Sequence, residues 1–124
     1  MLGYVTVGTN DLKRSAEFYD KICAEFGVGR MMEFDTFIAW GKPGGGCGIA
    51  ATKPFDGNEA TVGNGVMAAF QADSREQVDK VYNLAISLGA TDEGAAGPRG
   101  DSGFYAGYFR DPDGNKLNVF TMGG

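Results

Sequence analysis

An internal repeat constrains the fold of this chain more than any other feature of its sequence. Tyr4 lies 63 positions before Met67. The glycines that end two helical patterns, Gly27 and Gly89, lie 62 positions apart. A recurring unit of this length predicts two similar modules, since each copy repeats one supersecondary arrangement. With 124 residues in all, both modules belong to a single domain that spans residues 1–124.

The first module reads as one strand, one helix and three further strands. Residues 2–8 alternate as a short strand does, and apolar residues then recur at helical spacing up to Gly27. Asn10 and Asp11 supply capping side chains at the start of that helix. Three more short strands are expected at residues 28–33, 37–41 and 47–51.

The second module repeats this order after a segment with few large apolar residues. A strand is expected at residues 66–71, and Ser74 and Gln77 have the spacing of a capping box before the second helix. A weak strand at 90–96 and a final hairpin complete the module. The predicted fold class is therefore α+β, with two tandem βαβββ modules. Module one covers about 1–53, the linker 54–63, and module two about 64–124.

The final hairpin is marked by the sequence Asp-Pro-Asp-Gly at residues 111–114. Proline presets φ, glycine accepts positive φ, and aspartate side chains accept hydrogen bonds from nearby backbone amides, so this stretch predicts a tight turn. Strand alternation after the turn places Lys116, Asn118 and Phe120 on one face. Asp111 and the other turn aspartate are interpreted as structural residues rather than as general acids or bases.

Composition excludes several classes of function. The formal net charge is -5, the chain contains no histidine, and no cluster of Lys or Arg is present, so we expect no nucleic-acid and no membrane partner. Cys23 and Cys47 have no metal-binding or disulfide spacing. The N-terminal stretch lacks a signal-peptide pattern, and no apolar run approaches transmembrane length. These features predict a cytoplasmic protein with reduced thiols.

Two motifs resemble those of the vicinal oxygen chelate superfamily. The run Tyr-Val-Thr-Val-Gly-Thr-Asn-Asp-Leu-Lys-Arg-Ser-Ala-Glu-Phe-Tyr occupies residues 4–19, and Asp-Pro-Asp-Gly-Asn-Lys-Leu occupies 111–117. That superfamily contains glyoxalase I, bleomycin- and fosfomycin-resistance proteins and extradiol dioxygenases. The resemblance implies two curved sheets that form a cleft, helices on the outer faces, and a homodimer.

The same resemblance implies where a metal ion would bind. Relatives with metal chemistry carry ligands at positions that correspond here to Tyr4, Met67, Asn118 and a residue near Ile49. A phenol, a thioether, an amide and an alkyl group supply no negative charge to offset the dehydration of a divalent ion. We therefore expect no metal ion and no other cofactor, and no residue is assigned a catalytic role.

The replacements suit a small organic ligand better than an ion. Tyr4, Met67 and Asn118 offer an amphipathic ring, a deformable apolar chain and an amide that donates and accepts hydrogen bonds. Tyr108 lies three residues before the turn, at a position that lines the ligand pocket in fosfomycin-resistance relatives. Arg99 is a candidate clamp for a ligand carboxylate or phosphate.

Each candidate also has a purely structural interpretation. Phe37 is expected to form an aromatic wall of the site, but side chains such as Phe37 and Met67 are more often core filling than ligand contacts. Arg99 could be a solvated loop charge. Tyr4 could be a structural residue whose phenol faces inward and is satisfied by a hydrogen-bond partner within the protein. Asn118 favours a function, because an amide on a buried strand position normally requires a partner.

Three functions follow as alternatives. The first is a metal-free protein that binds a small organic molecule in the cleft. The second is a lactoylglutathione-lyase-like or dioxygenase-like enzyme with a non-standard metal site. The third is a structural dimer whose cleft is filled by its own side chains. The sequence leaves open whether the protein is an enzyme.

Overall fold

Each half of the repeat forms a four-stranded mixed sheet with one helix. The computed structural model describes residues 1–123, which divide into one unit at Met1–Gly63 and a second that begins at Asn64. The elements of the first unit are β1 (Tyr4–Gly8), α1 (Leu12–Ala24), β2 (Arg30–Glu33), β3 (Phe37–Trp40) and β4 (Gly48–Thr52). The elements of the second unit are β5 (Ala68–Gln71), α2 (Arg75–Ser87), β6 (Thr91–Pro98), β7 (Tyr105–Arg110) and β8 (Lys116–Thr121).

The two sheets have the same topology. Their strand orders are β1-β4-β3-β2 and β5-β8-β7-β6. In each sheet the first strand pairs in parallel with the last strand of its own module, and the other pairings are antiparallel. The crossover between the parallel strands contains the helix, as parallel pairing requires. The predicted α+β fold of two tandem βαβββ modules is confirmed.

Helix α1 covers one face of the first sheet. Its N-cap Asp11 accepts a hydrogen bond from the backbone N–H of Arg14 at 3.1 Å. Tyr19 is fully buried, and its ring lies 5.5 Å from that of Trp40. The Trp40 indole Nε1 donates to the Asp20 carboxylate at 2.8 Å, so the buried indole is satisfied. A hydrogen bond from a nearby guanidinium, on Arg30, lowers the pKa of Asp20.

The predicted linker at 54–63 is held against the first unit. The Asn10 side chain donates to the Ala60 carbonyl at 3.3 Å and accepts from the Ala60 amide at 2.7 Å. Asp56 closes a local turn by accepting from the amide of Asn58 at 2.9 Å. These bonds explain why the segment belongs to the first unit although it has few large apolar residues.

Helix α2 covers one face of the second sheet. Its N-cap Ser74 accepts from the Gln77 amide at 3.1 Å, and the Gln77 side chain accepts from the amide of Asp73 at 2.8 Å. The Gln77 side chain therefore bonds to the amide of Asp73, the residue before the N-cap, whereas a capping box would use the amide of the N-cap residue itself. A Cβ placed on Gly107 would lie 2.9 Å from the Tyr82 ring, so glycine permits the helix to approach β7.

A tyrosine of α2 also anchors the edge strand of the second sheet. The Tyr82 hydroxyl donates to the Asp92 carboxylate at 2.6 Å, and the same carboxylate accepts from the amide of Gly94 at 2.8 Å. The hydrogen bond to Asp92 raises the pKa of Tyr82 to about 12, with burial as the second cause. This link holds the bulged start of β6 against the helix.

The Asp-Pro-Asp-Gly turn joins β7 to β8 as predicted. The Asp111 carboxylate is buried and accepts from the amides of Asp113 and Asn115, both at 2.9 Å, and from the Asn115 side chain at 3.0 Å. Gly114 has a φ of 93°, which favours glycine. Asp111 is thus a structural turn residue.

The described helices are not membrane-spanning segments. Within residues 1–123, no helix combines the length and the apolar character needed to cross a membrane.

Cys23 lies in α1 and is buried, and this burial raises the pKa of its thiol to about 12. Cys47 is exposed and free. A thiol with a raised pKa is a weak nucleophile near neutral pH.

Candidate functional site

The second sheet has one face against α2 and one open face. Phe109 and Gly107 of β7 lie on the helix side, since both contact Tyr82. Successive strand residues alternate between faces, so Tyr108 lies on the open face. Asn118 of β8 pairs directly with Tyr108 and therefore shares that face. The structure thus brings together two of the residues that the sequence singled out.

Asn118 is buried without a hydrogen-bond partner for its side-chain oxygen. Its residue exposure is 2%, and no donor lies within hydrogen-bonding distance of its Oδ1. Its neighbours in the register are Tyr108 on β7 and Ala69 on β5. A buried acceptor that lacks a partner costs about 1–3 kcal/mol, so such an atom needs a specific explanation.

Arg99 lies over the Tyr108 ring rather than in solvent. Its guanidinium carbon is 5.4 Å from the ring centroid. Its Nη1 donates to the carbonyls of Gly97 at 2.9 Å and Pro98 at 3.4 Å, and its Nη2 donates to that of Ala95 at 2.8 Å. These bonds fold the side chain back onto its own strand and fix the charge in place.

A glycine of β6 makes room for this guanidinium. Gly94 has a φ of 150°, and a Cβ placed there would lie 3.2 Å from Arg99 Nη2 and 3.5 Å from the Tyr108 ring. The register of β6 against β7 shifts on both sides of Gly94, which marks a bulge. Bulges of this kind redirect side chains at the edge of a sheet. The missing side chain at Gly94 therefore leaves room for the Arg99 guanidinium beside Tyr108.

Lys116 is the residue that sequence reasoning missed. Its Nζ lies 5.7 Å from the Tyr108 centroid, so both Lys116 and Arg99 lie against this ring. Alternation along β8 already placed Lys116 on the same face as Asn118, but its contact with Tyr108 depends on the pairing of β7 with β8. The sequence therefore showed that Lys116 shares a face with Asn118, but not that it contacts Tyr108.

The first sheet carries a separate aromatic group on its open face. Tyr4 and Phe37 meet edge to face, with ring centroids 5.9 Å apart. Phe34 lies 6.3 Å from Phe37 and is 63% exposed. Tyr4 and Phe37 thus contact each other, and neither is core filling, since Tyr4 is exposed and Phe37 is half-buried.

Met67 precedes the first residue of β5 and is exposed. It is therefore not part of the core.

The position matched to Asn118 in the first module is Ala50 rather than Ile49. Ile49 pairs with Trp40, which contacts α1, so Ile49 faces the helix. Aligning the turn at Pro43 with the turn at Pro112 matches Ile49 to Asn118. This match is wrong by one position because eight residues separate Trp40 from Ile49, whereas seven separate Phe109 from Leu117.

The residues at the family's metal positions do not fit a divalent ion. Tyr4, Met67 and Asn118 offer no imidazole, thiolate or carboxylate, and neither Ala50 nor Ile49 offers a donor side chain. Among residues 1–123, no group of three or more histidine, cysteine, aspartate or glutamate side chains could hold a metal. We therefore derive no chemical step through a metal ion.

An open depression of about 670 Å³ lies elsewhere, on the first unit. Its lining mixes acidic and basic side chains from the start of α1 and nearby loops, including Lys13, Asp35 and Lys53. None of the six predicted ligand residues lines it, and none of the buried polar atoms without a partner belongs to its lining. The open face of the second sheet is therefore the stronger candidate site.

Comparisons with known proteins agree with this architecture. The model of the Glyoxalase/Bleomycin resistance protein/Dioxygenase superfamily matches residues 1–119. A glyoxalase/bleomycin resistance protein from Albidiferax ferrireducens is 35% identical over 98% of each chain, with a TM-score of 0.89. A family enzyme from Burkholderia phytofirmans is 21% identical over 97% of each chain, with a TM-score of 0.76.

Similarity at lower sequence identity shows the fold alone. Lactoylglutathione lyase from Agrobacterium tumefaciens is 20% identical over 98% of this chain and 92% of its own, with a TM-score of 0.71. No curated protein sequence matches the chain. The family model covers nearly the whole chain, and the 35% identical structure covers as much. The chain therefore belongs to the glyoxalase/bleomycin resistance protein/dioxygenase superfamily.

Proposed function

We propose that this protein binds a small organic molecule on the open face of its second sheet, without a metal ion. The observation that carries the proposal is the buried Oδ1 of Asn118, which lacks a donor. The resemblance places a glutamate ligand at this position in relatives with metal chemistry. An amide there cannot replace the charge of a carboxylate, but it can accept a hydrogen bond from a ligand.

The surroundings of Asn118 support a ligand site rather than a defect of packing. Tyr108 lies beside Asn118, and the ring holds two basic side chains. The guanidinium of Arg99 is fixed by three carbonyl contacts, so a ligand would not have to order that side chain. Preorganised groups of this kind favour affinity because less conformational entropy is lost on binding.

Thermal unfolding with and without metal ions tests the proposal. Zinc, nickel, iron(II) and manganese(II) salts are added separately at 1 mM, each with and without excess EDTA. A ligand at one hundred times its dissociation constant stabilises by about 2.7 kcal/mol, which is roughly 10 °C for a chain of this size. We expect no metal-dependent shift, and an EDTA-reversible rise would instead favour the alternative enzyme with a non-standard metal site.

A screen of small organic compounds provides the positive half of the test. Compounds that raise the unfolding midpoint of the wild-type protein are measured again on Asn118→Leu, which removes the free acceptor. We expect the shift to fall in the variant. A set of stabilising compounds that act equally on both proteins would place binding away from Asn118 and contradict the proposal.

Two further expectations remain predictions. The homodimer is implied by the family resemblance, and the cytoplasmic location is an expectation from two cysteines without disulfide spacing. Light scattering that gave a single species of 13.1 kDa at working concentrations would contradict the homodimer.

A further inference from the structure

We propose that the ligand of this face is a small organic oxyanion that also carries an N–H or O–H donor. The inference rests on the proposed binding function and adds the charge and the hydrogen-bonding character of the ligand. Four residues define the site: Arg99 and Lys116 supply positive charge, Tyr108 holds both cations, and Asn118 accepts the hydrogen bond.

Both cations lie against the Tyr108 ring, and neither has a carboxylate partner. Arg99 and Lys116 are 5.4 and 5.7 Å from the same Tyr108 centroid. No Asp or Glu among residues 1–123 forms an ion pair with either of them. The whole chain has a formal net charge of -5, so acidic partners are abundant. Two cations at one ring of an acidic protein, neither of them paired with a carboxylate, favour an anion at that place.

The neighbouring charges of this face do not neutralise the pair. Arg110 of β7 and Glu93 of β6 bind each other, with Arg110 Nε 3.2 Å from the Glu93 carboxylate. Arg110 also donates to the carbonyl of Gly114 at 2.9 Å. Glu93 is therefore already paired with Arg110 and does not neutralise Arg99 or Lys116. The positive charge of Arg99 and Lys116 stays available for an anion.

Arg99 retains hydrogen-bonding capacity toward such an anion. A guanidinium has five N–H donors, and the carbonyls of Ala95, Gly97 and Pro98 accept from three of them. Two donors remain for a ligand. Guanidinium groups bind carboxylate and phosphate oxygens in preference to neutral acceptors because the hydrogen bonds are charge-assisted.

Asn118 adds a requirement that a simple anion cannot meet. Its Oδ1 can only accept, so it needs an N–H or O–H from the ligand. A bare oxyanion would satisfy the cations and leave this atom unpaired. A hydroxylated carboxylate would satisfy both, which defines the expected class of ligand.

Three probes separate these requirements. Acetate has the oxyanion alone, ethylene glycol has the donors alone, and glycolate has both. Dissociation constants are measured by ¹H–¹⁵N NMR titration of the full chain at constant ionic strength, up to 100 mM probe. We expect glycolate to bind about three to ten times more tightly than acetate, which is the range given by one hydrogen bond. Ethylene glycol should not bind measurably.

Single variants assign each requirement to a residue. Lys116→Gln should weaken both anions at least threefold, and Arg99→Gln should do the same if it folds. Lys21→Gln, which removes the same charge from the exposed side of α1, is the control and should leave both constants unchanged. Asn118→Leu should abolish the advantage of glycolate while it leaves acetate binding in place.

The outcomes distinguish the two proposals. Equal binding of glycolate and acetate by the wild-type protein, or unaltered binding in Lys116→Gln, would overturn the oxyanion inference. Failure of both anions to bind at 100 mM would overturn it as well. Binding of ethylene glycol alone would overturn the charge requirement and leave the proposed function in place. An EDTA-reversible shift with metal would overturn the proposed function itself.

Discussion

Replacing Asn118 by leucine should stabilise the ligand-free protein. The side chain is 2% exposed, and its Oδ1 has no partner, so the folded state carries the desolvation penalty of an unpaired acceptor. That penalty is about 1–3 kcal/mol. Leucine has the same number of side-chain heavy atoms in the same branched arrangement, and a swap of similar shape costs less than about 1.5 kcal/mol. We expect a net gain of about 1 kcal/mol.

The control is the same substitution at a buried asparagine whose amide is satisfied. Asn115 is 9% exposed, and its Nδ2 donates to the Asp111 carboxylate at 3.0 Å. Asn115→Leu removes a hydrogen bond to a charged group, which contributes roughly 1.5–3 kcal/mol. The two variants therefore make the same chemical change and should alter stability in opposite directions.

Urea denaturation of the three proteins, without added ligand, gives the free energies of unfolding directly. The unfolding entropy is about 2.1 cal/mol/K per residue, so 1 kcal/mol should also move the thermal midpoint by roughly 4 °C. If Asn118→Leu loses as much stability as Asn115→Leu, the amide of Asn118 is satisfied in the folded protein. Asn118 would then have no unpaired acceptor for a ligand to satisfy.

Three further predictions concern the packing that supports the site. Gly107→Ala should destabilise by about 1–3 kcal/mol in urea denaturation, because its Cβ would lie 2.9 Å from the Tyr82 ring; Gly29→Ala, with no atom within 4 Å, should change stability by less than about 0.5 kcal/mol. Asp20→Ala should cost about 1–3 kcal/mol, since it leaves the buried Trp40 indole without an acceptor; an unchanged urea midpoint would contradict this. The pKa of Tyr82 is about 12 against an ordinary 10.0, so its hydroxyl contributes stability that is fully present below pH 10 and lost as pH rises to 12. Unfolding free energies measured from pH 9 to 12 should fall less steeply for Tyr82→Phe than for the wild type, and parallel curves would refute the assignment.

The fold could be predicted from the sequence because its signals are local and occur twice. Capping side chains begin both helices, glycines follow them, and the Asp111 turn closes the last hairpin. The limits came from turns of unequal length. The connection between β3 and β4 has one more residue than the connection between β7 and β8, so alignment of the two turns matches Asn118 to Ile49 instead of Ala50. Ile49 lies on the face of the sheet that packs against α1, whereas Ala50 lies on the opposite face.

The candidate site was only partly accessible to sequence reasoning. Asn118 could be selected because strand alternation is visible in one chain, and Tyr108 because the family resemblance implies a pocket residue three positions before the turn. The contacts of Arg99 and Lys116 with Tyr108 depend on strand pairing and on the bulge at Gly94, where φ is 150°. No local pattern specifies which side chain a bulge redirects, so the interpretation of Arg99 as a solvated loop charge could not be decided from its neighbours in the sequence.

The position of β8 inside its sheet has a consequence for synthesis of the chain. β5 ends at Gln71 and its only described partner begins at Lys116, so 44 residues must be added before β5 can pair. At about 5–20 residues per second, ribosomes need roughly 2–9 s for this interval. Until β8 is available, the backbone groups of β5 lack their partner strand. Because β1 waits in the same way for β4, the yield of both halves of the protein should respond to chaperone supply and to slow codons.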